Sequence, residues 1–355
     1  MNITKGEIMN NFKKIGLTAL AGSLAAVSAN AVELSVSGET TVSYISNTAA
    51  KVGVIGGSSI GTSTGITFSG SGELENGWTV SSSNILNDGD ANALSSSQLN
   101  LTMGSMGTVT FAKAAGTTVN AIDDVTPKVA EEAWDGAGGS VLQGIGSETN
   151  SGAVAYKSPS FDLMGISASF GVDYDPAADA AGNDHDAVAT KASDLGSGMG
   201  AVVKLSHDSG LTIGAGVEEV SSNSGNSFET ENVTAYALYT MGPVSVGYQG
   251  YFLNNGASPK AGATTGIADY SGDAFGIAFN VNDQVSIGYQ KVSETQEALT
   301  TTKASDRDIK SVSAAYSSGG MTMSIQQTDT DNYALAAAAS ALDTETVQVT
   351  LSFAF

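Results

Sequence analysis

The chain has 355 residues and a formal net charge of −22, with 43 glycines, 5 prolines and no cysteine. The lack of cysteine excludes disulfides and thiolate metal sites, and the acidic balance argues against nucleic acid as a partner. After the N-terminus no run of about 18 apolar residues occurs, which excludes helical membrane spans. The length suits two ordinary domains or one large β architecture.

The N-terminus has the three parts of an export signal. A basic pair at 13–14 precedes an apolar core over 15–27 and an A-x-A cleavage site at 29–31. This order predicts a signal peptide over residues 1–31, cleaved after Ala31, with translation starting at Met1 or at Met9. The mature domain, 32–355, then carries 11 basic and 35 acidic residues, a net charge of −24.

Beyond the signal, the dominant pattern is an alternation of apolar and polar residues with period 2, which predicts β-strands. In chain order the sixteen predicted strands are 33–46, 60–74, 78–86, 94–104, 108–113, 151–158, 164–174, 198–207, 211–221, 229–241, 243–253, 271–281, 284–293, 308–317, 321–329 and 344–355. The last is the clearest, since every odd position from Val347 to Phe355 is apolar and every even one is small or polar.

Short and long connections alternate along the whole chain. An Asn76-Gly77 pair predicts a tight hairpin after the second strand, and a corner is predicted at 158–161. The longest connection, 114–150, holds Trp134, Pro127 and a cluster of acidic residues. An even number of strands with all short connections at one end predicts an antiparallel sheet whose two chain ends lie on the same side.

The polar face of these strands favours a membrane barrel over a soluble one. It carries Gln, Asn, Thr, Ser, Glu and Lys, whereas a closed soluble barrel of this size needs an apolar interior. A bilayer requires a closed sheet because it cannot satisfy an open strand edge, and about 16 strands enclose an aqueous channel. One persistent long/short asymmetry is typical of such barrels, with short turns in the periplasm and long loops outside.

Two segments resemble the general porins of Gram-negative outer membranes. They are Gly107-Thr108-Val109-Thr110-Phe111-Ala112-Lys113, just before the long insert, and Ala153-Val154-Ala155-Tyr156-Lys157-Ser158-Pro159-Ser160-Phe161, just after it. The resemblance extends over residues 32–355. It implies an all-β fold, a 16-stranded antiparallel transmembrane β-barrel, with the third loop (114–150) folded into the pore. It also implies a homotrimer among outer-membrane lipids, and a terminal Phe355 that looks like the signal read by the barrel-insertion machinery.

The insert is expected to carry the chemistry of the pore. Pro127 suits a first helical position, so a short helix is predicted from Lys128 to Trp134, as in the loops of porins. The acidic residues of the insert would then face the constriction, where carboxylates attract cations and repel anions. These residues are Asp123, Asp124, Glu131, Glu132 and Asp135.

Porins usually oppose such a loop with an arginine cluster, and this chain departs from that pattern because its sole arginine is Arg307. By strand parity the pore wall instead offers Glu39, Lys157, Lys204 and Glu218, together with Lys113 of ambiguous parity. Lys157 faces either the channel or its mouth. With so few cations on the wall, we expect a cation-preferring pore.

The prediction is therefore an outer-membrane channel for passive diffusion of small hydrophilic solutes and ions, without enzymatic activity and without cofactor. A solute-specific channel is the alternative. A barrel-based outer-membrane enzyme is a less favoured one, because His185 and His207 are the only histidines, and a secreted adhesin would show repeats that this sequence lacks. The acidic loops at 87–92 and 183–186 could bind Ca²⁺ adventitiously.

Overall fold

The structure is a computed structural model that describes residues 33–48, 56–88, 94–113, 118–134, 142, 152–178, 195–222, 229–254, 267–298, 305–332 and 343–355. The predicted signal peptide and Asp135 lie outside these residues, as do loop 183–186 and most of 87–92. Among the described residues, no helix has the length and apolar character to cross a membrane, and no group of three or more His, Asp or Glu is arranged to hold a metal ion.

The described residues form one closed antiparallel β-barrel. Its strand segments are β1 (Glu33–Asn47), β2 (Gly57–Glu73), β3 (Thr79–Asn87), β4 (Leu94–Thr102), β5 (Thr108–Lys113), β6 (Ala153–Lys157), β7 (Phe161–Leu163), β8 (Ile166–Asp175), β9 (Leu195–His207), β10 (Leu211–Ser222), β11 (Thr230–Met241), β12 (Val244–Asn254), β13 (Ile267–Asn280), β14 (Val285–Ala298), β15 (Ser305–Ser318), β16 (Met321–Asp331) and β17 (Thr344–Ala354). Neighbours in sequence pair antiparallel, and β17 pairs with β1 to close the ring.

The seventeen segments make sixteen strands of the barrel, because β6 and β7 are two parts of one interrupted strand. Both pair with β8, from Val154↔Tyr174 to Lys157↔Gly171 and from Phe161↔Ala168 to Leu163↔Ile166. The predicted sixteen-stranded barrel is therefore confirmed. The closure also places both ends of the described chain side by side, since Gly38 and Phe355 exchange backbone hydrogen bonds of 2.8 and 2.9 Å.

The predicted corner at 158–161 is wrong. Pro159, which lacks an N–H, only interrupts the strand, and Ser158 bridges the gap by accepting a 2.9 Å hydrogen bond from the Phe170 N–H. The hairpin turns instead at Met164 and Gly165, whose φ angles are 56° and 87°. Positive φ at two central residues is the geometry of a tight two-residue hairpin.

The two faces of the barrel differ in chemistry. In β11 the outward residues include Val233 and Tyr239, which are exposed, whereas Asn232 and Thr234 on the inward face are buried. The same alternation runs through β14, where Ile287 is outward and Gln290 is inward. An apolar exterior and a polar interior are the reverse of a soluble barrel and are typical of barrels that cross a membrane.

The predicted helix over 128–134 is also wrong. Residues 118–134 contain one short 3₁₀ turn, Asn120–Ile122, and no further helix. Side chains of the barrel wall take the place of helical hydrogen bonds. The Ala133 N–H donates to Gln290 Oε1 at 2.9 Å and the Val125 N–H donates to Gln249 Oε1 at 3.3 Å.

Candidate functional site

The segment 118–134, called the inner loop below, lies between β5 and β6 and runs against the polar face of the wall. Gln249 of β12 anchors its middle, because its Nε2 donates to the Ile122 carbonyl at 2.8 Å. Thr118 donates through its hydroxyl to Asp173 of β8 at the start of the segment. The inner loop therefore contacts strands of the barrel that are distant from it in sequence.

Glycines on the inward face make room for the inner loop. They are Gly200, Gly216, Gly247, Gly276 and Gly288, on five different strands, and we call them the glycine track. A Cβ on Gly247 would lie 2.5 Å from Pro127 Cδ, one on Gly276 would lie 2.5 Å from the Pro127 carbonyl oxygen, and one on Gly288 would lie 2.9 Å from Val129 Cγ2. A side chain at Gly247 or Gly276 would collide with Pro127 of the loop.

An apolar cluster fixes the far end of the inner loop. Trp134 is 1% exposed and Ala133 is fully buried. Together with Val119 and Leu142 they form one core with residues of β12 to β15, namely Tyr251, Ala274, Val292 and Ile309. Burying a tryptophan removes a large apolar surface from water, so this contact stabilises the attachment of the loop to the wall.

The predicted acidic residues fall into different environments. Glu132 is 5% exposed and forms an ion pair with Lys128, whose Nζ also lies 3.7 Å from Asp124 Oδ2. Asp124 and Glu131 are exposed. Burial, followed by the adjacent Asp124 carboxylate, raises the pKa of Asp123 to about 8, so its carboxyl holds a proton at neutral pH.

The predicted wall residues also differ from one another. Glu218 is 1% exposed and accepts a 2.6 Å hydrogen bond from Asn232 Nδ2. Glu39 is exposed, accepts a 3.0 Å hydrogen bond from the Thr41 hydroxyl, and lies at the barrel closure, where it pairs with Ala354 of β17. Lys113 ends β5, where its backbone pairs with Ser97.

Lys157 and Lys204 line one cavity of about 410 Å³ between the inner loop and the wall. The interrupted strand that contains Lys157 continues after it through β7, which also pairs with β8. This lysine therefore lies within the barrel wall and not at its edge. The remaining lining comes from residues 118–125 of the loop, from Ser160 between β6 and β7, and from β8, β9 and β11, and it includes four serines. Strand parity placed both lysines on the polar face but gave no sign of the shared cavity.

Sequence patterns did not predict a buried ion pair between Arg307 and Glu294, which lies on the wall near the end of the barrel that carries the long loops. Arg307 of β15 donates from Nη2 to Glu294 Oε1 at 2.5 Å, and the Tyr251 hydroxyl donates to Glu294 Oε2 at 3.0 Å. Arg307 and Glu294 are almost fully buried. The sole arginine of the chain is therefore buried in the wall beside the apolar cluster, where it pairs with Glu294.

The sequence matches the family described as Gram-negative porin over residues 16–323. No curated protein matches the chain significantly.

Among solved structures, the chain is similar to the anion-selective porin from Comamonas acidovorans, with 14% identity, a TM-score of 0.62, and 91% of this chain and 100% of that one covered. It is also similar to a trimer form of OmpT, an outer membrane protein of Vibrio cholerae, with 12% identity, a TM-score of 0.64, and 91% of this chain and 99% of that one covered. A third similar structure is Salmonella typhi OmpF in complex with daunomycin, with 13% identity, a TM-score of 0.63, and 90% of this chain and 97% of that one covered. At these identities the likeness shows the fold alone.

Proposed function

This chain belongs to the Gram-negative porin family, and from that premise we propose that it is a cation-preferring outer-membrane channel for passive diffusion of small hydrophilic solutes and ions. Its place in the outer membrane follows from the family and the barrel. The observation that carries the rest is the path of the inner loop. The inner loop lies against the inward face of the five strands that carry the glycine track, and in this proposal it thereby occupies part of the lumen and narrows it.

The proposed cation preference rests on the charges that the inner loop leaves exposed. Asp124 and Glu131 are exposed on the loop, and the one lysine of the described loop, Lys128, lies near both Asp124 and Glu132. The only arginine is buried against Glu294. Carboxylates near a constriction favour cations by direct attraction, and the net charge of −22 acts in the same direction at the mouths.

Reversal potentials in a KCl gradient across a planar bilayer test this selectivity. We expect a potassium preference that falls in the double variant Asp124→Asn, Glu131→Gln. The matched control is Asp283→Asn, because this exposed acid lies in the short β13–β14 turn. A chloride preference in the unmodified protein would overturn the proposal.

The alternative is a solute-specific channel, and liposome swelling with sugars of graded size separates the two. Passive diffusion predicts rates that fall smoothly with solute size, whereas a specific channel favours one solute at low concentration. Enzymatic activity is not part of the proposal, since members of this family act as channels.

We extend the proposal to assembly: a homotrimer, inserted by machinery that reads Phe355. The trimer form of the similar Vibrio protein supports the first part. The second is supported by the position of Phe355, whose side chain is 69% exposed at the end of the chain.

A further inference from the structure

The cavity between the inner loop and the wall has a charge opposite to that of the chain as a whole. Among the described residues, two lysines and no carboxylate line it, although the chain carries 36 acidic and 14 basic residues. Both lysines have exposed side chains. A solute in this cavity therefore meets two ammonium groups.

The register brings the two lysines within reach of one small solute. Lys157 pairs with Gly171, which pairs with Val202, and Lys204 lies two residues further along the same strand as Val202. From the spacing of strands and of residues along them, the two Cα atoms are about 12 Å apart. Each lysine has a flexible four-carbon stem, so both ammonium groups can reach one anionic group that lies between them.

The row that contains Lys204 supplies further recognition groups. Cross-strand partners follow in the order Ser169, Lys204, Gly214 and Tyr236. Because Gly214 has no side chain, the ring of Tyr236 lies over it, with atoms 2.6 Å from where a Cβ would stand. The ring thus lies next to Lys204 and closes one side of the cavity. Serine hydroxyls at 160, 167, 169 and 206 complete the lining, and each can both donate and accept a hydrogen bond.

The acidic residues close to the cavity do not line it. Asp173, two residues along β8 from Gly171, is buried and accepts from the Thr118 hydroxyl. Asp123, on the loop between the lining residues Ile122 and Val125, has a raised pKa because of burial and the adjacent Asp124. Asp124 in turn lies near Lys128.

We propose that this cavity is a subsite for hydroxylated small anions of monosaccharide size, that is, sugars carrying a carboxylate or a phosphate. The ammonium groups of Lys157 and Lys204 would bind the anionic group, and the serines would bind the hydroxyls. Its volume lies within the range of small-molecule sites. The inference deepens the proposed channel function and rests on it: the lumen would carry a cation-attracting loop face and a separate anion-binding recess.

Calorimetric titration of the detergent-solubilised, folded barrel tests the subsite without requiring conduction. The probes are glucuronate, glucose 6-phosphate and neutral glucose. We expect one or both anions to bind and glucose not to bind. Lys204→Met should weaken anion binding about tenfold, the factor for one lost charged hydrogen bond, and Lys157→Met should act in the same direction. Lys310→Met is the matched control, because this lysine lies on the outward face near Asp331.

Two outcomes would overturn the subsite: glucose binding as well as the anions, or anion binding that survives Lys204→Met. Heat-modifiable migration on gels confirms that each variant is folded. Single-channel recordings separate this inference from the function on which it rests. A folded protein that binds glucuronate without conducting ions contradicts the channel, whereas one that conducts without binding any anion contradicts only the subsite.

Discussion

At the scale of single residues, environment decides how the charges of the inner loop act. Five acids were predicted as one filter, yet Glu132 is buried in an ion pair and Asp123 carries a raised pKa. Asp124 and Glu131 remain exposed. The charge that ions meet near the loop therefore depends on pH in the range where Asp123 ionises.

We predict that cation preference rises as the pH increases from about 6.5 to about 9, because Asp123 is protonated below its pKa of about 8 and negative above it. One unit negative charge about 10 Å away in water lowers the energy of a cation and raises that of an anion by about 0.4 kcal/mol each, so the cation-to-anion permeability ratio should change about fourfold. Reversal potentials at low salt measure it.

The variant Asp123→Asn should lose this pH dependence and keep the selectivity that the unmodified channel shows at low pH. The neighbouring groups are Asn120, Asp124 and Lys128. A pH dependence that persists in Asp123→Asn would assign the titration to another group.

At the scale of elements, the inner loop and the wall are shaped for each other. The loop has little regular structure beyond one 3₁₀ turn, and two of its backbone N–H groups donate to Gln249 and Gln290 on the wall. The glycine track brings the two backbones close. Glycine within a strand often marks such an approach, which is the one sequence signal that could have revealed the track.

Gly276→Val should displace the inner loop and raise the single-channel conductance. Its side chain would meet the backbone of Pro127, 2.5 Å from the carbonyl oxygen and 3.0 Å from the nitrogen, and backbone atoms cannot rotate aside. Overpacking costs about 1–3 kcal/mol, which is comparable to or greater than the roughly 1 kcal/mol of a neutral hydrogen bond such as the one to Ala133.

Gly250→Val is the matched control, because Gly250 lies in β12 and no described residue beyond its chain neighbours comes within 4 Å of where its Cβ would stand. Its conductance should equal that of the unmodified protein. Equal conductance in both variants would show that the segment near Pro127 does not restrict the pore.

At the scale of the whole molecule, the barrel was predictable because two solvents act on its sheet. Lipid outside and water inside require apolar and polar residues to alternate along every strand, so the number and order of the barrel strands could be predicted from the sequence. The position of the hairpin turn before β8 was not predictable, because Pro159 resembles a turn residue and because methionine, which adopts positive φ at position 164, rarely does so. The path of the inner loop depends on partners distant in sequence, such as Gln290 and Ala133, and local patterns do not encode those.

Barrel closure gives Phe355 two separable roles. Its backbone exchanges hydrogen bonds with Gly38, and its ring lies over the same glycine, where a Cβ would stand 2.6 Å from Cε2. Phe355 is 69% exposed as a residue, so Phe355→Ala removes only about 1 kcal/mol of apolar burial and leaves the backbone bonds in place. We therefore expect this variant to refold in detergent with normal heat-modifiable migration.

In cells, the same variant should accumulate in the outer membrane severalfold less than the unmodified protein if the terminal aromatic is read during insertion. Phe353→Ala is the matched control, since Phe353 is an outward aromatic on the same strand, 44% exposed, and its loss leaves the terminus intact. Immunoblots of outer-membrane fractions provide the comparison. If Phe355→Ala fails to refold in detergent, its contact with Gly38 closes the barrel, and lower accumulation then reflects stability and not recognition.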